Sequence, residues 1–164
     1  MKIGVTTDHA GFEAIQALKA YLEELGHEVV DYGPKEFDAD DDYPDFIFPA
    51  AKAVAAGEIE RAVIMGGSGN GEAMAANRVK GVRAALFYAP AIAKEPIDAE
   101  GNMSDDPYEI VKLSRQHNDA NVLSLSGRFL SLDEMKTAVK IWLETPFTEA
   151  DRHVRRIRKL DEMA

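Results

Sequence analysis

The sequence predicts an α/β fold in which a five-stranded parallel sheet carries helices on both faces. Five short apolar segments have strand character, and segments with apolar residues at helical spacing alternate with them. The 164 residues, 46% hydrophobic and 29% charged, have the balance of one globular domain, which we expect to span 1–164. Alternating strands and helices imply right-handed crossovers, and therefore a three-layer, Rossmann-like sandwich.

The first half of the chain contains three predicted strands and two predicted helices. Apolar residues alternate in 1–7, which predicts the first strand, and recur on one helical face of 11–26. The segment 27–33 reads as the second strand and 43–58 as a helix that contains a proline. A buried third strand is expected at 61–65.

The second half continues the alternation. A short helix is predicted at 71–80, and the fourth strand at 82–88. Further helices are expected at 108–118 and 131–144, on either side of a fifth strand at 121–126. The last helix opens with the residues of a capping box, which supports its predicted start.

Composition limits the classes of partner and chemistry. A formal net charge of −10 opposes broad binding to nucleic acid or to anionic membranes. No apolar run is long enough to cross a bilayer, and no signal peptide is recognisable, so we expect a cytoplasmic protein. The absence of cysteine excludes disulfides, a thiolate nucleophile and a thiolate zinc site.

A glycine-rich segment, "GGSGNGE" from Gly66 to Glu72, follows the third strand and opens a helix. Ligands of parallel sheets bind beyond the carboxyl ends of the strands, and free N–H groups at a helix start favour an anion. The segment lacks the spacing of nucleotide-binding loops. It is either a tight packing turn or a site where Glu72 takes a carbon-bound proton beside donors for the resulting oxyanion. A glutamate of ordinary pKa, about 4.3, is ionised at neutral pH.

Histidines and arginines supply the other candidate groups. His9 and His117 are expected at the ligand side of the sheet, although a single histidine is more often structural. Arg152 and Arg156 are four residues apart, so a helix would place both on one face to grip a phosphate. A solvated tail is the alternative for this charge run. Arg128 adds a positive charge after the fifth strand.

Six blocks together resemble the type B ribose-5-phosphate isomerase family, which includes galactose-6-phosphate isomerase subunits. They are "TTDHAG", "YPDF", "GGSGNGEAMAANRVKGVRAA", "HNDANVL", "GRF" and "RHVRRI", in the family's order. The resemblance implies an aldose–ketose isomerase that uses neither metal nor cofactor and acts through a cis-enediolate. It also implies a homodimer or dimer of dimers with active sites at the subunit interface, where the segment 145–164 would pack.

The resemblance also implies roles for individual residues. Glu72 would be the base, His117 the acid in ring opening, and Ser68 a further catalytic residue. Part of the family carries a cysteine base where this chain has Gly66, so the chain looks like the subgroup whose base is glutamate. The phosphate would be held by Arg152 and Arg156, with Arg128 in support. The remaining substrate-binding residues would be Asp8, His9, Tyr43, Gly67, Gly69, Asn70, Gly71 and Asn118.

The substrate is left open by the sequence. The irregular segment 89–107 is longer than the corresponding connection of the family and leads towards His117, so it is either a specificity loop or a surface decoration. Ribose 5-phosphate is the leading substrate, and a tetrose or hexose phosphate is the alternative. A non-catalytic sugar-phosphate-binding subunit is a further alternative.

Overall fold

The computed structural model describes residues 1–163, and Ala164, the last residue of the predicted domain, lies outside the described residues. The strands are β1 Lys2–Thr7, β2 Glu28–Asp31, β3 Arg61–Gly66, β4 Ala84–Phe87 and β5 Val122–Ser126. The helices are α1 Phe12–Glu24, α2 Tyr43–Ala55, α3 Asn70–Ala76, α4 Glu109–Gln116, α5 Leu132–Glu144 and α6 Asp151–Met163. Within residues 1–163, no helix is both long and apolar enough to cross a membrane.

All five strands are parallel, in the order β2-β1-β3-β5-β4. Val122, the first residue of β5, pairs with Ala62 near the start of β3 and with Ala84 at the start of β4. Ser126, the last residue of β5, pairs with Gly66 at the end of β3. The sheet therefore has one edge made of strand starts and one made of strand ends, as the predicted fold requires.

Two apolar cores cover the two faces of the sheet, which confirms the three-layer prediction. Since side chains alternate along a strand, Val63 and Met65 of β3 enter the core beneath α1, α4 and α5. Ala62 and Ile64 enter the core beneath α2 and α3. Trp142 of α5 is fully buried and is the largest side chain of the first core.

The chain after α5 stays at the strand-start edge of the sheet, where α5 ends. Thr148 donates its hydroxyl to the carbonyl oxygen of Gln116 at the end of α4 (2.6 Å). Further along, Asp161 of α6 lies 3.8 Å from the guanidinium of Arg83, the residue immediately before β4. Residues 145–163 of the segment that the resemblance placed at a dimer interface therefore pack beside the start of β4 and the end of α4.

The irregular segment 89–107 forms a closed loop without helix or strand. Its neck is joined by a hydrogen bond from the Ala91 N–H to the Pro107 carbonyl oxygen (2.8 Å). At its tip, the Asp98 carboxylate accepts hydrogen bonds from the backbone of Glu100 and Asn102 and from the Asn102 side chain. The tip is thus an ordered turn in which the Asp98 carboxylate accepts three hydrogen bonds and the Ile97 N–H bonds the Asn102 carbonyl oxygen (2.8 Å).

Candidate active site

The glycine loop between β3 and α3 is held by β5, its neighbour in the sheet. Ser124 donates its hydroxyl to the Gly69 carbonyl oxygen (2.7 Å), and Ser126 donates to that of Gly67 (2.9 Å). These bonds direct the carbonyl groups of the loop towards the sheet. The N–H groups of Ser68 and Gly69 have no hydrogen-bond acceptor within residues 1–163. The loop therefore offers main-chain donors at the strand-end edge.

Gly69 shows that the loop is also a tight packing turn. Its φ is +78°, in the left-handed region that favours glycine. A Cβ atom at this position would lie 2.9 Å from the carbonyl oxygen of Leu125 in β5. The two sequence interpretations, a packing turn and a ligand loop, are therefore compatible, because close packing on β5 fixes the loop.

Glu72, in the first turn of α3, is buried with 4% of its surface exposed. Its carboxylate lies directly against the Cα atom of Gly66, and a Cβ atom at position 66 would overlap three carboxyl atoms of Glu72. Only glycine at position 66 leaves room for this arrangement. The Glu72 side chain thus turns back from the helix towards the end of β3 and the glycine loop.

Burial raises the pKa of Glu72, and the negative charge of the nearby Asp8 raises it further, while the N–H of Glu72 itself opposes both effects by bonding the carboxylate. Asp8 follows β1 and is only 6% exposed, so the two carboxyl groups share one poorly solvated region. Sequence reasoning assigned Glu72 an ordinary pKa, because burial of this side chain has no local signal. A raised pKa makes the ionised Glu72 a stronger base than an ordinary glutamate.

The loop after β1 places Asp8 and His9 at the same edge. Asp8 caps the following turn by accepting the N–H of Ala10 (2.9 Å). His9 Nδ1 lies 2.7 Å from the Asp41 carboxylate, which only accepts hydrogen bonds, so this nitrogen carries the proton. The bond to Asp41 is the main cause of the raised pKa of His9, and the positive charge of Arg128 lowers it. Sequence reasoning missed Asp41, whose one signal is its place in an acidic run before "YPDF".

Three further predicted residues lie in or near the glycine loop: Tyr43, Ser68 and Arg128. The Tyr43 ring packs against Gly71, since a Cβ atom there would lie 2.9 Å from the ring. Ser68 is exposed and accepts the Asn70 N–H with its hydroxyl oxygen (3.2 Å). The Arg128 guanidinium lies beside Gly67, at 3.4 Å from the position of a Cβ atom. The strand-end edge thus brings together Glu72, Asp8, His9, Asp41, Tyr43, Ser68 and Arg128.

His117 lies at the opposite edge, so the expectation that it shares the ligand side with His9 is wrong for a single chain. It caps the end of α4, five residues before β5 begins. A helix that connects parallel strands runs back from the strand ends to the strand starts, so its last residue is distant from the glycine loop. The five residues of β5 alone span roughly 16 Å, at about 3.3 Å per residue.

A second group surrounds His117. Its ring stacks on that of His153, with centroids 4.2 Å apart and planes at 12°. The buried His153 accepts a hydrogen bond at Nε2 from Arg152 Nε (3.2 Å). Burial lowers the pKa of His117, and the positive charges of Arg152 and Arg156 lower it further. Sequence reasoning missed His153, although this residue lies between Arg152 and Arg156, which were both selected as phosphate ligands.

The closed loop 89–107 reaches this second group. Glu100 at its tip lies 3.6 Å from Arg152. The negative charge of Asp98 acts on His117 and raises its pKa, against the arginines. Asn118, the predicted substrate ligand beside His117, has an exposed side chain. Its main-chain carbonyl oxygen accepts a hydrogen bond from Arg83 Nε (3.0 Å). The predicted site residues therefore form two groups at opposite edges of one chain.

Comparison with known proteins decides the family. A family model described as Ribose/Galactose Isomerase matches residues 3–100 and 104–160. The chain belongs to this family. It is 38% identical to ribose-5-phosphate isomerase B of Mycolicibacterium paratuberculosis, over 99% of this chain and 91% of that protein.

Solved structures of family members share the fold along the whole chain. Ribose-5-phosphate isomerase B of Mycoplasma genitalium, with bound ribulose 5-phosphate, superposes with a TM-score of 0.83 at 36% identity, covering 99% of this chain and 95% of that one. The Trypanosoma brucei type B enzyme gives 0.85 at 32% identity, covering 99% and 98%. Residues 101–103, which the family model leaves unmatched, lie at the tip of the closed loop, next to Glu100.

Proposed function

We propose that the chain is an aldose–ketose isomerase of a phosphorylated sugar, with ribose 5-phosphate and ribulose 5-phosphate as the leading substrate pair. The family membership and the ribulose 5-phosphate bound to the Mycoplasma genitalium relative support this substrate class. The observation that carries the proposal is the buried Glu72 carboxylate, held against Gly66 beside main-chain donors. A pure binding protein needs no buried base next to an oxyanion site.

The reaction moves a proton between C1 and C2 of the open-chain sugar. Glu72 takes the proton from one carbon and returns it to the other on the same face of the enediolate, so one base is sufficient for the carbon-bound proton, while the hydroxyl proton of C2 passes to the oxygen of C1. Burial raises the pKa of Glu72 towards neutral pH, which makes the carboxylate a stronger base. Neither a metal nor a cofactor enters this sequence of steps.

The glycine loop stabilises the enediolate oxygens. The N–H groups of Ser68 and Gly69 donate to the developing negative charge, and the Ser68 hydroxyl lies beside them. Removing one such donor from an enzyme typically lowers kcat by about 10²–10³-fold. Gly67 has no side chain and lets the sugar approach the backbone closely, while Gly71 and the exposed Asn70, in the first turn of α3, complete the substrate-binding loop.

Asp8, His9 and Tyr43 form the rim that binds the sugar hydroxyls. Asp8 and Asp41 offer acceptors, while the Nε2 atom of His9 remains able to bond a hydroxyl because Nδ1 is committed to Asp41. Arg128, beside Gly67 and His9, supplies a positive charge for an anionic substrate group.

Each complete site is assembled from two chains. His117, Asn118, Arg152 and Arg156 of one protomer meet the glycine loop of its partner, which removes the separation of the two groups within one chain. The protein is then a homodimer or a dimer of dimers, with the segment 145–164 at the interface. The small-molecule substrate and the net charge of −10 fit a cytoplasmic enzyme that binds neither nucleic acid nor membrane.

His117 acts as the acid that opens the sugar ring, and phosphate binding raises its pKa. In the free chain, Arg152 and Arg156 lower its pKa. A phosphate dianion held by these arginines offsets their charge, so the pKa of His117 rises when substrate binds, although burial still lowers it.

The test is Glu72→Gln, which keeps the shape of the side chain and removes the base. We expect the loss of at least about 10²-fold in kcat, with the dissociation constant for ribose 5-phosphate changed by less than about threefold. Glu24→Gln, an exposed glutamate at the end of α1, is the matched control and should keep full activity.

A parent protein that binds phosphorylated sugars without isomerising any of them would contradict the enzyme proposal and support the non-catalytic subunit. Phosphorylated tetroses, pentoses and hexoses should be assayed side by side. The pentose has the highest kcat/KM if ribose 5-phosphate is the substrate, and a higher value for a tetrose or hexose would reassign it.

A further inference from the structure

Asp8, His9 and Asp41 bring three groups with metal-ligand chemistry together at the strand-end edge. One ligand atom of each lies within 4.8 Å of the others. His9 Nδ1 is 2.7 Å from Asp41 Oδ1 and 4.0 Å from Asp8 Oδ2. Two atoms that bind one ion at about 2.1 Å each are at most about 4.2 Å apart. Both distances from Nδ1 fall within this limit, so small side-chain rotations would bring the three groups to a common ion.

A buried oxygen of Asp41 is a second observation that indicates a ligand. The Asp41 side chain is 7% exposed, and its Oδ2 atom contacts no hydrogen-bond donor in the part of the chain that the structure describes. The other oxygen, Oδ1, already accepts the backbone N–H and the ring N–H of His9. Buried carboxylate oxygens without a partner are rare. Oδ2 is therefore an unused acceptor on the carboxylate that faces the His9 ring.

Two carboxylates face the His9 ring. Asp8 Oδ2 and Asp41 Oδ1 lie 4.0 Å and 2.7 Å from Nδ1, and the positive charge of Arg128 acts on the same ring. A divalent ion that replaces the Nδ1 proton balances both carboxylates, and a donor set of two oxygens and one imidazole nitrogen suits Zn²⁺ and Co²⁺ better than Mg²⁺, which prefers oxygen ligands.

We propose that Asp8, His9 and Asp41 bind one divalent transition-metal ion of the Zn²⁺ class. The ion takes no part in the isomerase reaction. It occupies the rim that the sugar hydroxyls use, so metal and sugar phosphate exclude each other. This competition rests on the proposed function, whereas the metal site itself depends on the three side chains alone.

The test is calorimetric titration of ZnCl₂ into the full chain after treatment with a chelator. We expect one tight Zn²⁺ per chain and no comparable heat from MgCl₂. His9→Gln and Asp41→Asn should each weaken Zn²⁺ binding at least about tenfold. His27→Gln is the matched control, because His27 lies in the turn before β2 at the opposite edge, and it should leave binding unchanged.

Zn²⁺ binding that is equally tight in His9→Gln, or that is lost in His117→Asn instead, would overturn the proposal. Circular dichroism identifies a variant that fails to fold. The unaltered chain provides an independent measurement, since the NMR resonance of His9 Nδ1 must shift when Zn²⁺ binds, and an unchanged resonance at saturation would overturn the proposal as well. If the parent isomerises no sugar phosphate, the proposed function fails, and the titration still decides the metal site.

Discussion

The contact between Gly66 and Glu72 can be tested with a single methyl group. In Gly66→Ala, the new Cβ atom would overlap the Glu72 carboxylate, which must move to an ordinary van der Waals separation of about 3.4 Å. The required movement exceeds about 1 Å, and a misplacement of that size in an active site lowers the rate by about 10²-fold. We therefore expect kcat to fall by at least about 10²-fold, with a smaller change in KM.

The same overlap destabilises the fold, because a buried carboxylate must be displaced to make room for the methyl group. Overpacking of this kind typically lowers the free energy of unfolding by about 1–3 kcal/mol. Gly67→Ala serves as the control for stability, since its Cβ would meet Arg128 only at 3.4 Å, an ordinary contact. Chemical denaturation followed by circular dichroism measures both variants.

A double-mutant cycle separates this steric effect from a general defect. Glu72→Ala empties the position that the new methyl group needs, so Gly66→Ala should have almost no further effect on stability or kcat in that background. If Gly66→Ala alone keeps the parent kcat, or if its effects add fully to those of Glu72→Ala, the account of the Glu72 position is refuted.

Two further predictions concern charge. Asp8→Asn removes a negative charge that raises the pKa of Glu72, so the pKa falls and the acidic limb of the kcat profile moves to lower pH; a limb that stays in place would contradict the coupling. Glu100→Gln frees Arg152 from a partly exposed ion pair, so KM for a sugar phosphate should fall, by no more than about fivefold, while kcat stays constant. An unchanged KM would show that the loop tip does not compete with phosphate.

The fold could be predicted because every strand and connecting helix carries a local signal. Alternating or continuous apolar runs located all five strands, and the capping box at Ser131 and Glu134 located the start of α5. The order of the strands was not available from the sequence, because pairing depends on contacts between distant segments. The ordered tip of 89–107 was also missed, since it depends on Asp98 bonding to neighbours that have no periodic pattern.

The candidate site was predictable only where local sequence determines it. The glycine loop and Glu72 are contiguous, so their proximity follows from the strand–loop–helix pattern. Ser124 and Ser126 anchor that loop from another strand, and nothing in a serine on a buried strand reveals its partner. His117 was predicted at the wrong edge because the residues that precede β5 were treated as if they followed a strand.

We propose that each active site combines Glu72 of one chain with His117 of another. Glu72→Gln and His117→Asn should each abolish most activity when purified alone. Mixed in equal amounts and allowed to exchange subunits, they should recover about a quarter of the parent activity, because half of the dimers are mixed and each contains one intact site. A mixture that stays inactive after exchange has been verified would contradict the claim.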